Sequence, residues 1–170
     1  EEPLVEIVLE EPAWEAALPD LAAVAETAAR LAIEATGRDP ADWQVSLLAC
    51  SDDRIAALNA AFRGRRGPTD VLSWPAFAGP PREAPRPRTH LGDVAVALGT
   101  TRKDAAEANL PLKDHAIHLI LHGCLHLLGH DHGTEEEAGM MEDLERRALA
   151  RIGLGDPYDR GDADRLHPDG

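Results

Sequence analysis

The sequence predicts a single domain that combines helices with a small sheet, and three observations lead there. Its 170 residues suit one domain with a real core. At 44% hydrophobic and 28% charged residues, the composition is that of an ordinary soluble globular chain. Four short runs with strand character are interleaved with five stretches in which apolar residues recur at helical spacing.

Residues 4–10 alternate and carry β-branched side chains between Pro3 and Pro12, which marks a first strand. Over 18–36, Leu21, Val24, Ala25, Ala28, Leu31 and Ala32 recur at helical spacing, and Gly37 closes the helix. Residues 43–50 form a second strand. Ser51, followed by Asp52 and Asp53, is an N-cap and acidic first turn for a short helix to about Phe62. The stretch Arg63-Gly64-Arg65-Arg66-Gly67-Pro68 cannot be regular structure, and its three guanidinium groups either meet an anion or are simply solvated.

Residues 69–77 read as a strand whose Pro75 puts its end at a sheet edge or outside the ladder. Four prolines and three arginines in 78–89 predict a mobile loop. Residues 91–98 are the most buried-looking strand, 100–109 a helix, and Pro111 restarts the chain into a helix over about 112–128. Thr134 with Glu137 makes a capping box for a last helix to about Arg151. The expected domain is 1–153, followed by an acidic, flexible polar tail over 154–170.

No run of 18 apolar residues occurs, so no membrane span is expected, and without a secretory leader after Glu1 the expected location is the cytoplasm. Cys50 and Cys124 lie far apart in apolar surroundings and suggest neither a disulfide framework nor metal ligands. The net charge of −14 argues against a nucleic-acid partner until its distribution is considered. From Arg54 to Lys103 eight Arg and one Lys face only Asp70, Glu83 and Asp93, a local balance of +6 that leaves −20 elsewhere.

The most informative stretch is His122-Gly123-Cys124-Leu125-His126-Leu127-Leu128-Gly129-His130-Asp131-His132. At about 100° per residue, His122 and His126 share a helix face and suit two ligands of one metal ion. Gly129 can end the helix in a left-handed turn and deliver His132 as a third ligand. Three imidazoles with an open fourth position describe a catalytic zinc site, one ion per chain. His115 and His118 lie within an arc of about 80° with these two, so each is a partner of the ligands, part of the cleft wall, or one of a polar stripe packed on a carboxylate.

The spacing of the three histidines is also that of the metzincin peptidases, which need a Glu directly after the first histidine to take a proton from zinc-bound water. Here that residue is Gly123. Phosphodiester hydrolysis fits better, because a metal-bound water of pKa near 7 can serve as nucleophile while an arginine stabilises phosphoryl charge. Arg63 is the foremost candidate, with Arg65 and Arg66 as further phosphate contacts on the same loop.

The histidine motif, together with Leu58-Asn59-Ala60-Ala61-Phe62-Arg63, Thr69-Asp70-Val71-Leu72-Ser73-Trp74-Pro75 and Leu91-Gly92-Asp93-Val94, resembles the bacterial YbeY family of rRNA-processing endoribonucleases. The resemblance runs in order from about Cys50 to His132. It implies a single α+β domain, with a small mixed four-stranded sheet flanked by about five helices and the metal on a central helix and the following turn. It further implies one zinc on His122, His126 and His132, a functional basic residue at Arg63, and cleavage of single-stranded RNA in late 16S rRNA 3′-end maturation and ribosome quality control. The small ribosomal subunit, a ribosomal protein or a ribosome-associated GTPase would be partners. His130 stands where the family commonly has an aromatic, and Trp74 where it has Phe; an added imidazole at His130 could compete as a ligand or capture a second metal. A metallopeptidase, and a non-catalytic assembly factor with structural zinc, are the alternatives.

Overall fold

The computed structural model describes residues 3–158. Its strands are β1 (Val5–Leu9), β2 (Trp43–Cys50), β3 (Val71–Pro75) and β4 (Thr89–Ala97). The helices are α1 (Ala13–Ala17), α2 (Leu21–Ala35), α3 (Asp52–Arg63), α4 (Leu98–Glu107), α5 (Leu112–Leu127) and α6 (Glu135–Ala150), with a 3-10 turn at Pro40–Asp42. The sheet is mixed and ordered β1-β2-β4-β3. β1 and β4 flank β2 in parallel, and β3 closes the edge antiparallel to β4, Val71 opposite Val96 and Pro75 opposite Gly92. The proline thus ends an edge strand, where its missing N–H costs no ladder bond.

Alternation on β2 splits the core between the two faces of the sheet. Trp43, Val45, Leu47 and Ala49 join the large cluster with α2 and α5, whereas Cys50 joins the smaller one around Ile55, Leu72 and Ala95. A register shift opposite Gln44 and Val45 inserts an extra residue in β4, and Gly92 takes it up at φ +148°. Leu91 and Val94 therefore face the same cluster although they are three residues apart. No side chain fits at 92, where a Cβ would stand 2.5 Å from the Trp74 carbonyl oxygen.

Several boundaries differ from expectation. The helix anticipated over 18–36 begins at Leu21, and a separate turn, α1, precedes it to bury Trp14, whose Nε1 donates to the Cys50 carbonyl at 3.0 Å. This makes six α-helices among the described residues, against about five expected. α4 starts directly from β4 because Asp52 of α3 accepts a hydrogen bond from the Thr100 N–H at 2.9 Å, capping a helix that lacks a capping side chain of its own. Ser51 and Thr134 cap α3 and α6 through the N–H groups of Arg54 and Glu137. Asn59 ties the arginine loop back onto α3 by donating to the Gly67 carbonyl at 3.1 Å. The expected tail begins with residues that pack back: Leu154 lies against the core and Asp156 pairs with Arg146 at 2.6 Å. Residues 159–170 of that tail lie outside the described residues.

Of the sixteen residues of α5, twelve are buried. The helix ends as the sequence predicts: Gly129 adopts φ +97°, and the N–H of His130 reaches back to the Leu125 carbonyl at 3.0 Å. The 78–89 segment presses on this turn. A Cβ at 129 would stand 2.7 Å from the backbone nitrogen of Pro80, and Pro81 is buried with its carbonyl accepting from Arg38 at 2.8 Å. Gly129→Ala therefore incurs both a left-handed alanine and a collision with backbone. It is expected to destabilise the chain by about 1–3 kcal/mol, read as a lower urea midpoint at unchanged slope, and an unaltered midpoint would show that the turn relaxes freely.

Candidate metal centre

Two turns of α5 and the loop after it bring His122, His126 and His132 together, with one ring nitrogen from each within 4.8 Å of the others. The Nε2 atoms of His122 and His126 are 3.2 Å apart. The His132 ring stacks on His122 at 5.6 Å between centroids and meets His126 edge-on at 5.0 Å. His132 reaches this position because Gly129 reverses the chain and the Asp131 carboxylate accepts the His132 N–H at 2.8 Å.

The donor set fits a zinc-type ion. His132 Nε2 is buried without a hydrogen-bond partner, which would be costly in a site built for nothing else. Burial, reinforced by the neighbouring His122 and His132, lowers the pKa of His126 to about 4, so at neutral pH it is the uncharged imidazole that a metal requires. Neither thiol competes. Cys124 faces the core, and burial pushes both cysteines up to about 12. His130 is not one of the three converging rings, although it lines the same cleft as His126 and His132.

Behind His122 lies a residue that the motif did not reveal. Glu145 of α6 is fully buried, and its Oε2 accepts from His122 Nδ1 at 2.9 Å and lies 3.2 Å from His118 Nε2. Donation from Nδ1 leaves His122 Nε2 as the lone-pair nitrogen facing the other two rings. Burial alone would raise the Glu145 carboxyl; the adjacent His122 and His118 reverse that by charge and hydrogen bonding and hold it well below the usual carboxylate range. The Tyr158 hydroxyl donates to its other oxygen. Glu145 had a sequence signal, being the one charged residue on the buried stripe of α6 with Met141, Ala148 and Leu149.

On the solvent side the histidines open into a cleft of about 550 Å³, lined by Arg63, Ser73, Pro75, Gly79, His126 and the turn Gly129–Gly133. Arg63, at the end of α3, thus shares a wall with the cluster, while Arg65 and Arg66 are exposed on the loop beyond and do not line it. His115 and His118 are also absent from this wall: His118 sits behind His122, and His115 meets the His118 ring edge-on at 6.2 Å. Position 123 faces the sheet, where a Cβ would lie 2.8 Å from Val94 Cγ1 and 3.2 Å from Ser73 Oγ, leaving no room for a glutamate.

His115 supplies a pH dependence. Its two ring nitrogens are buried without partners, and burial, with His118 nearby, lowers its pKa to about 4. An unfolded histidine takes its proton near pH 6.5, so between that and about pH 4 the unfolded chain binds the extra proton and acidification favours unfolding. His115→Leu is expected to flatten the fall in urea midpoint from pH 6.5 to 4; profiles of equal steepness would exclude His115 as the source.

The family model for "Endoribonuclease YbeY" matches residues 10–153. A protein of that name from Paracoccus denitrificans is 48% identical over 159 residues, covering 91% of this chain and 89% of its own. Another, from Jannaschia sp., is 45% identical over 161 residues, covering 91% and 99%. The solution structure of a Thermotoga maritima protein matches at a TM-score of 0.52 and 24% identity over 87% of this chain and 91% of that one, which speaks to the fold alone. With the histidine cluster in place and the match running through nearly all of the domain, the chain belongs to the YbeY endoribonuclease family.

Proposed function

We propose that this chain is a zinc-dependent endoribonuclease selective for single strands, acting in late 16S rRNA 3′-end maturation and ribosome quality control. The observation that carries this reading is the cleft shared by the Arg63 guanidinium and the converged imidazoles. His122, His126 and His132 hold the ion, with Glu145 orienting the first of them. When bound, zinc supplies Lewis acidity and a water acidic enough to attack near neutral pH.

The chain's own groups supply the rest. Arg63 places two or more N–H donors against the phosphoryl oxygens, where charge builds as the bond to the leaving oxygen breaks. Being exposed at a helix end, it can follow the phosphate without losing the α3 backbone. The open cleft favours a strand whose backbone can bend into it, which a paired A-form helix does not offer. An rRNA substrate sets the place of action in the cytoplasm. Among the described residues no helix is long and apolar enough to cross a membrane.

With a net charge of −14 the protein holds bulk RNA weakly, so the small ribosomal subunit, a ribosomal protein or a ribosome-associated GTPase would present the substrate. A peptidase reading loses its catalytic carboxylate at Gly123, and the packing there excludes one.

Cleavage of a labelled single-stranded RNA by wild-type, Arg63→Ala and His126→Ala proteins, with zinc content measured in each, tests the assignment. Arg63→Ala is expected to keep its zinc and lose about 10²–10³-fold in kcat; His126→Ala is expected to lose both. Full cleavage by Arg63→Ala would end its catalytic role, and a zinc-loaded wild type inert on RNA would end the nuclease reading.

A further inference from the structure

We propose that Tyr158 is a positioning residue of the metal centre, acting through Glu145 on His122; this rests on the reading of the three histidines as a metal site. Tyr158 follows the stretch that the family model covers, which ends at residue 153.

Glu145 has two oxygens to satisfy in a site from which water is excluded. Oε2 is occupied by His122 Nδ1 at 2.9 Å and lies 3.2 Å from His118 Nε2. Oε1 receives the Tyr158 hydroxyl. The terminal torsion of a glutamate is broad and nearly two-fold, so the carboxylate plane is set by its partners rather than by its rotamer. A donor on each oxygen fixes that plane, which in turn fixes the direction in which the His122 ring presents Nε2 to the other two imidazoles.

The tyrosine is itself held in place. Asp156 accepts the Tyr158 N–H at 2.8 Å and the Arg146 Nε at 2.6 Å, and Leu154 packs on the core. Arg146 follows Glu145 on α6, so one turn of that helix offers an inward carboxylate to the hydroxyl and an outward guanidinium to the strap that carries it. The ring of Tyr158 meets His118 edge-on at 5.7 Å, and the hydroxyl lies 3.4 Å from His118 Nε2. Residues 154–158 thus pack against His118 and Glu145 and do not line the cleft.

Tyr158→Phe removes the hydroxyl and keeps the ring. Zinc affinity is measured by competition with a chromogenic chelator, under conditions where circular dichroism shows the metal-free variant fully folded. The expected result is zinc binding weakened about tenfold, the lower end of what partners of metal-ligating histidines contribute, with an altered visible spectrum when cobalt(II) takes the place of zinc. Asp156→Ala, which releases the strap without touching Glu145, is expected to weaken zinc in the same direction. Wild-type affinity in a folded Tyr158→Phe protein would overturn the inference and leave the metal site standing. A wild-type protein that takes up no zinc would overturn both.

Discussion

The approach of helix α5 to strands β3 and β4 is the constraint on which the rest of the structure depends. At Gly123 the helix backbone comes so close to Val94, Ser73 and Val71 that any side chain would collide, and the Ser73 hydroxyl donates to the Gly123 carbonyl at 3.2 Å across the same contact. A helix seated this deeply, with twelve of sixteen residues buried, is held by close packing on most of its circumference. Two of the three converging histidines ride on it, so their relative position is set by packing rather than by the ligand. Gly92 in β4 admits the other side of the same contact, where Leu127 Cδ2 would stand 2.7 Å from a Cβ. The third histidine then depends on Gly129, the only residue type that can turn there beneath Pro80.

Seating the helix so deeply buries His115, His118 and His122 as well. α6 resolves part of that by delivering a single carboxylate between His118 and His122, which gives both rings a partner and selects the tautomer of one of them. A carboxylate without a hydrogen-bond partner at such depth would be far more costly than the histidines it serves, which is why its second oxygen also needs a donor. His115 lies beyond the reach of this arrangement. It remains neutral, edge-on to His118, with its nitrogens unsatisfied.

Much of this could be read from the residues because the signals are local. The apolar positions of α2, the caps at Ser51 and Thr134, the left-handed Gly129 and the clustering of His122, His126 and His132 each follow from a pattern within a dozen residues. What escaped depends on distant partners. α1 has five residues, too few for a helical period, and exists to bury Trp14. The start of α4 is set by Asp52, 48 residues before the Thr100 amide that it caps. The role of Tyr158 was hidden in a polar stretch that resembles a tail, because its partner sits on a helix already closed. Glu145 was legible and overlooked: a lone acid on an apolar stripe signals a buried partner, but not which one.

Charge shows the same passage from sequence to space. The basic stretch between Arg54 and Lys103 contains the end of α3, the arginine loop, β3 and the 78–89 segment, and four residues from it, Arg63, Ser73, Pro75 and Gly79, border the cleft. The acids are concentrated elsewhere, as in the run Glu135, Glu136 and Glu137 that opens α6. At physiological ionic strength a charge is screened within about 8 Å, so the field inside the cleft is set by Arg63 and Asp131 on its wall more than by the net −14. An anionic strand farther away meets the opposite field. On the reading proposed above, such a surface would bind polyanions poorly in general and favour one brought to the cleft, so selectivity would begin with electrostatics before any base is read.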